Sequence, residues 1–356
     1  MTNFKIPPFF FPTTVAFVDD SYDFLSNLSL QLHPTLAYRL LQSTSEALML
    51  LKSQKLQTEP LINGLFSLYQ GRDEADHDHQ VIDISLGLIH RKVHDERRFD
   101  QIPVVVVDYD MPQMNGVEFC RQIQNPLIKK ILLTGKADER IAVEAFNGGL
   151  IDRFIRKQDP NALEILDQAV LEMQAYHFEE MQSMLSDSLS VGLHRFLRDR
   201  KLAARFKELC AQYNIVEYYL TCAPDGMLML DATGASYLLV VQNESQVQST
   251  HEIAYDQGAP EQLLTRLRSG EVIPYFPKTQ GIYSSIYKDW RSCLHTATKI
   301  EGDDAWYSYV VIEEPEGFNL KHVLCYSDYL ERIDASRPAA ALTRFARPGG
   351  ARSRGF

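Results

Sequence analysis

Val104–Val107, four consecutive valines closed by Asp108, constrains this chain more than any other feature. β-Branched residues without polar alternation fit a strand buried on both faces, and such strands belong to parallel sheets covered by helices. Shorter runs repeat the pattern: Val15–Val18 ended by Asp19 and Asp20, Ile131–Leu133 ended by Thr134, and Phe154–Ile155 followed by Arg156 and Lys157. Ala37–Leu41 supplies a further strand. Phe24, Leu25, Leu28 and Leu32 recur at helical spacing until His33-Pro34, and Ser45 is placed to cap a helix through Leu48 and Leu51. Gly116–Gln124 and Glu139–Phe146 read as helices. Strand alternating with helix predicts βαβ units, hence an α/β domain with a doubly wound parallel sheet. Ligands of such sheets sit at the carboxyl ends of the strands. Asp20, Asp108 and Thr134 are therefore predicted to meet at one edge.

Two adjacent carboxylates at one strand end and a third at another make a hard-oxygen nest. It suits Mg²⁺, which keeps several waters and takes one or two protein carboxylates. A carboxylate can also act as a nucleophile and carry a phosphoryl group as an aspartyl phosphate. Such transfer needs in-line positioning and neutralisation of the transferred oxygens. The Thr134 hydroxyl and the Lys157 ammonium, each at its own strand end, are placed for that.

Four ordered pieces resemble the receiver domain of two-component response regulators over residues 13–160. They are Val18-Asp19-Asp20; Asp108-Tyr109-Asp110-Met111-Pro112 with Asn115-Gly116; Leu133-Thr134-Gly135; and Phe154-Ile155-Arg156-Lys157. The resemblance implies a flavodoxin-like domain in which Asp108 accepts a phosphoryl group from a histidine kinase or phosphotransfer protein. It also implies that Asp19, Asp20, Asp108 and the backbone carbonyl of Asp110 hold Mg²⁺. Thr134 then hydrogen-bonds a phosphoryl oxygen, Lys157 pairs with it, and Gly135 keeps the approach open. Phe154 takes the place of the switch aromatic, against the plain alternative of a core residue. Two departures stand out. Gln158 follows Lys157 where the family usually has proline, and the Asp20-to-Asp108 interval is unusually long. Asp110 and Lys136 flank the pocket and read as solvated.

Residues 54–100 account for that interval and read as an insertion. They carry the polar run GRDEADHDHQ at 71–80 and an expected helix from Val81 to Arg98. His77, His79, His90 and His94 lack the spacing of a HEXXH-type metal site, so an interaction surface is the better reading. Residues 161–213 read as a helical segment. From 214 to 333 short β-rich runs alternate with turns, as in an α+β output domain with an antiparallel sheet. The final stretch, 337–356, holds five arginines and no acid, and its composition predicts a disordered basic tail.

A formal charge of −11 argues against an output that works mainly by gripping phosphates, so nucleic-acid binding stays open without being favoured. Neither a helix-turn-helix nor an enzymatic signature stands out in 161–333. The expectation is a phosphoacceptor signalling protein with an interaction or sensing output, and not an enzyme. The alternative is a phosphorylation-gated enzyme, for example with a nucleotidyltransferase-like output, or a nucleic-acid-binding regulator. Five cysteines without a CxxC pair read as reduced thiols of a cytoplasmic protein, and no segment has the apolar length of a membrane span. A homodimer is expected, through the helix at 81–98 or the face around Phe154. The long insertion and the non-helix-turn-helix output are also similar to response regulators of quorum sensing.

Overall fold

The computed structural model describes residues 5–68, 82–135, 138–189, 194–279 and 281–335. In chain order it opens with β1 (Phe9–Phe10), β2 (Thr14–Val18), α1 (Tyr22–Gln31), β3 (Ala37–Leu41) and α2 (Thr44–Leu65). Next come β4 (Phe66–Leu68), β5 (Ile82–Ile84), α3 (Gly87–Arg91), β6 (Val104–Asp108), α4 (Gly116–Gln122), β7 (Lys129–Thr134), α5 (Glu139–Asn147) and β8 (Arg153–Arg156). The helices α6 (Ala162–Leu189) and α7 (Arg200–Gln212) lead to β9 (Ile215–Cys222), β10 (Asp225–Asp231) and β11 (Ser236–Asn243). The chain closes with α8 (Glu244–Asp256), α9 (Glu261–Arg268), β12 (Val272–Pro274), β13 (Leu294–Thr296), β14 (Thr298–Glu301), β15 (Trp306–Glu313) and α10 (Tyr326–Ala335). These elements form two compact units. One takes the described residues of 13–59, 99–180 and 328–335, the other those of 5–12, 60–98 and 181–327.

The first unit is built on a five-stranded, wholly parallel sheet in the order β3-β2-β6-β7-β8. Every residue of β2 and β6 is buried, as the unbroken apolar runs predict. Alternation divides them between two cores. Ala16, Val18, Val105, Val107 and Leu132 pack on one face with α2, α4 and α5. Val15, Phe17, Val104, Val106 and Ile131 pack on the other with α1 and α6. The helix after β3 is capped two residues earlier than expected. The Ser43 hydroxyl accepts from Glu46 N at 3.4 Å, and Ser45 lies in the first turn. From residue 328 the last helix also belongs to this unit. The Tyr329 hydroxyl lies 2.7 Å from that of Thr14 and donates to Asp100 at 3.0 Å.

The second unit carries a six-stranded sheet in the order β1-β9-β10-β11-β15-β14, antiparallel throughout. Phe9 and Phe10 form its edge against Tyr219 and Tyr218. The helix expected over 81–98 is not what forms. Residue 81 lies outside the described part, and Ile82–Ile84 is a strand paired with Phe66–Leu68. The reason is periodicity: Phe-Ser-Leu and Ile-Asp-Ile each alternate apolar and polar residues, a period of two that suits a strand and not a helix. Only then follow α3 and short 3₁₀ turns at Lys92–His94 and Arg98–Asp100.

Arg98 ends this segment, fully buried and bound to the fully buried Glu217 of β9. Its Nε and Nη2 donate to the two carboxylate oxygens at 2.8 and 2.9 Å, and Nη2 also reaches the carbonyl of Leu324 at 2.6 Å. The Tyr219 hydroxyl donates to the same carboxylate at 2.6 Å. Burial alone opposes the guanidinium charge, but the bonds to Glu217 outweigh it and hold Arg98 above its ordinary value. Removing one partner leaves the other charged in a dry interior, which costs about 3–5 kcal/mol. Glu217→Gln and Arg98→Met are each expected to lose that much in chemical denaturation. The double variant is expected to recover part of the loss.

Candidate functional site

Because β2, β6, β7 and β8 run parallel, the residues that end them share one edge of the sheet. Val18 pairs with Val107, Asp108 with Leu133, and Thr134 with Arg156, so the strand ends lie within a residue or two of each other. Asp19, Asp20 and Asp108 each offer an oxygen, and these atoms lie within 4.8 Å of one another. Among the described residues this is the one group of three or more His, Cys, Asp or Glu so placed. Asp19 and Asp108 are buried and Asp20 is exposed, which leaves the cluster a solvent side.

Lys157 is the counter-charge. Its Nζ donates to Asp19 Oδ2 at 2.7 Å and lies 2.9 Å from Asp108 Oδ1. With Gln158 after it in place of proline, Lys157 N bonds to Thr134 O at 3.0 Å and continues the ladder past β8. The ammonium also lies 4.0 Å over the Phe24 ring. Sequence reading placed Phe24 only as a core-facing residue of α1 and missed this contact. Burial pushes the Asp108 carboxyl above its ordinary range; Lys157 draws it down and the nearby Asp19 raises it again. Burial opposes the Lys157 charge too, but its bonds to Asp19 and Asp108 prevail and raise it.

The loop after Asp108 is held by α4. Asn115 caps that helix by accepting from Glu118 N at 2.9 Å, and Gly116 N bonds to Tyr109 O at 2.9 Å. A Cβ at Gly116 would stand 2.3 Å from the Asp108 carbonyl oxygen, which excludes any other residue without displacing the acceptor strand. Asp110, exposed, lies in this loop. At Gly135 the nearest atom to an added Cβ is Asp138 Oδ2 at 3.6 Å, so protein packing does not demand glycine there. Lys136 lies outside the described residues, as do His77 and His79.

Thr134 is wholly buried, and its hydroxyl donates to the carbonyl of Gly135 at 3.0 Å. Phe154 is half-buried and packs edge-on against Phe146 at 6.2 Å, with about half of Phe146 exposed. It is neither plain core nor free surface. His90 and His94 do not share a helix face, because α3 ends at Arg91. His90 packs edge-on against Phe318 at 5.8 Å, and His94 is exposed.

The carboxylate oxygens, partly buried but open on the Asp20 side, suit a small hard divalent cation that retains water. Asp108, at the strand end beside an ammonium and a hydroxyl-bearing residue, has the surroundings of a nucleophile whose product is an anion.

Comparisons with known proteins agree with this geometry. The response regulator receiver domain model matches residues 76–167. The match begins after Asp19 and Asp20, which the sheet, not proximity in sequence, brings to the site. The solved structure of the Legionella pneumophila response regulator LqsR is 39% identical, with a TM-score of 0.73, over 93% of this chain and 97% of that one. A response regulator receiver domain protein from Clostridium thermocellum is 18% identical over 48% of this chain and 98% of its own, with a TM-score of 0.29. No curated protein sequence matches.

Gly116→Ala is expected to destabilise the protein by about 1–3 kcal/mol, as overpacking does. It is also expected to weaken divalent-cation binding, read by calorimetry. Lys157→Met removes two of the three influences that lower the Asp108 pKa and leaves only the Tyr109 backbone hydrogen bond, so that pKa rises further from its ordinary 3.8. A carboxyl raised by folding destabilises the fold once ionised. The stability deficit of Lys157→Met is therefore expected to be fullest above the raised pKa and to shrink as pH falls through it. Denaturation midpoints between pH 4 and 8, on the order of the carboxylate range and above, test this.

Proposed function

Since this chain belongs to the response-regulator family, we propose that Asp108 is its phosphoacceptor. The observation that carries the reading is the Asp19-Asp20-Asp108 cluster with Lys157 bridging two of its members. The donor is a phosphohistidine of a histidine kinase or phosphotransfer protein. An Asp108 oxygen attacks phosphorus, the P–N bond breaks as the P–O bond forms, and the leaving imidazole keeps the electron pair and takes a proton from solvent. Asp19 and Asp20, together with Asp108 and the Asp110 carbonyl, are the residues that would hold Mg²⁺. When bound, that ion neutralises charge on the transferred oxygens.

The chain's own residues do the rest. Lys157 exchanges its contact with Asp108 for a phosphoryl oxygen while keeping Asp19. The Thr134 hydroxyl turns from the Gly135 carbonyl to donate to the phosphoryl group. That turn frees space behind the strand end for the Phe154 ring, and the face shared with Phe146 changes shape. The signal then passes to residues 214–333, acting as an interaction module and not as a catalyst. Homodimerisation and a cytoplasmic setting belong to the same reading; no described helix is long and apolar enough to cross a membrane. A place in quorum sensing rests on the narrower sequence resemblance.

Intact mass after treatment with Mg²⁺ and acetyl phosphate tests the chemistry. Wild type is expected to gain one phosphoryl group and Asp108→Asn none, with loss of the adduct when Mg²⁺ is chelated beforehand. Equal labelling of both proteins would move the acceptor elsewhere, and absence of any adduct despite Mg²⁺ binding would leave the site a scaffold.

A further inference from the structure

The antiparallel unit contains a cavity of about 470 Å³ that the receiver chemistry does not use. That volume is in the range of small-molecule sites. It opens beside the start of α8, between the turn after α9 and the β14–β15 edge of the sheet, and its walls include Asn243, Glu244, Arg268, Lys299, Trp306 and Tyr307.

Three features distinguish it. Trp306 is 59% exposed, whereas Tyr307 beside it is 7% exposed and Trp290, the chain's other tryptophan, 6%. A large indole left in water at a cavity rim offers a stacking face that the fold itself does not use. Arg268 and Lys299 are exposed and, among the described residues, neither is paired with a carboxylate. The Lys299 ammonium donates only to the carbonyl of Ser269, at 3.2 Å. Glu244 is the single acid of the wall, and α8 begins there with its positive dipole end. A neighbouring cavity of about 390 Å³ shows the contrast: its Arg195 and Arg198 stand among Asp199, Asp303 and Asp304. In a chain of net charge −11, two cations against a single acid at one cavity mark a local preference for anions.

We propose that this cavity binds a small planar anion, with an aromatic or heteroaromatic ring on Trp306 and a carboxylate or phosphate held by Arg268 and Lys299. Ring and charge are both required: the indole supplies stacking, and the guanidinium and ammonium supply charge-assisted hydrogen bonds. The output unit then has a chemical input of its own, independent of Asp108.

Titration of the full-length protein tests this, with 2-naphthoate and adenosine 5′-monophosphate as the two anionic probes. Adenosine supplies a ring without charge, and inorganic phosphate supplies charge without a ring. At least one probe is expected to bind and to change Trp306 fluorescence. Arg268→Gln and Lys299→Gln are each expected to weaken it about tenfold. Trp306→Leu, read by calorimetry, is expected to do the same. Tighter naphthoate binding assigns a carboxylate ligand and tighter nucleotide binding a phosphate ligand; either supports the site. The three substituted residues are exposed, so melting temperatures are expected to hold. Asp108→Asn is expected to leave the affinity unchanged. The proposal is overturned if neither probe binds at millimolar concentration, if the charge variants bind as wild type does, or if inorganic phosphate alone matches the nucleotide.

Discussion

Three carboxylates within 4.8 Å repel one another, and the parallel-sheet unit is organised around that repulsion. Lys157 offsets part of it by reaching both buried members. One ammonium against three carboxylates leaves the site short of positive charge. Burial is the first cause of the raised Asp108 carboxyl and the neighbouring Asp19 adds to it, while the shortage of positive charge gives a divalent cation something to bind. Structure and function are here the same electrostatic fact. The group that stabilises the resting site, Lys157, is also the one that pairs with a phosphoryl oxygen in the proposed reaction.

Such a cluster requires a frame that resists spreading. The frame is the row of parallel strands whose residues are buried on both faces, with α4 pressed so near Asp108 that only hydrogen fits at Gly116. A packed frame of this kind moves in discrete steps. On the same unit Phe154, half-buried against one core, meets the exposed Phe146 edge-on. Rigid chemistry next to an adaptable aromatic surface is the arrangement from which a phosphorylation switch can be made.

The antiparallel unit is held differently. Arg98 is held to β9 by a fully buried ion pair, a kind of contact whose net contribution to stability is small although its loss is costly. Such a pair specifies which segment packs where more than it adds to stability. Residues 54–100 read as an insertion in the sequence, yet Arg98, near their end, reaches β9, one strand in from the edge of the sheet.

Sequence alone determined the βαβ order, the buried strands and the identities of Asp19, Asp20, Asp108, Thr134 and Lys157. The physical reason is local: a strand buried on both faces is a short apolar run, and the residues ending it project from the sheet edge. The same locality explains the misreading of 81–98, where a three-residue alternation pairs with a strand whose partner no helical pattern reveals. Only tertiary structure decided what lies far apart in the chain. Arg98 meets Glu217 across 119 positions and Tyr329 meets Thr14 across 315. β1 joins β9, and Phe24 lies under Lys157. Trp306, Arg268 and Lys299 line one cavity although each is unremarkable in its own stretch of sequence. No periodicity encodes these pairings, because each is selected by the desolvation cost of leaving its groups unpaired or by the packing of faces that exist only once the sheets have formed.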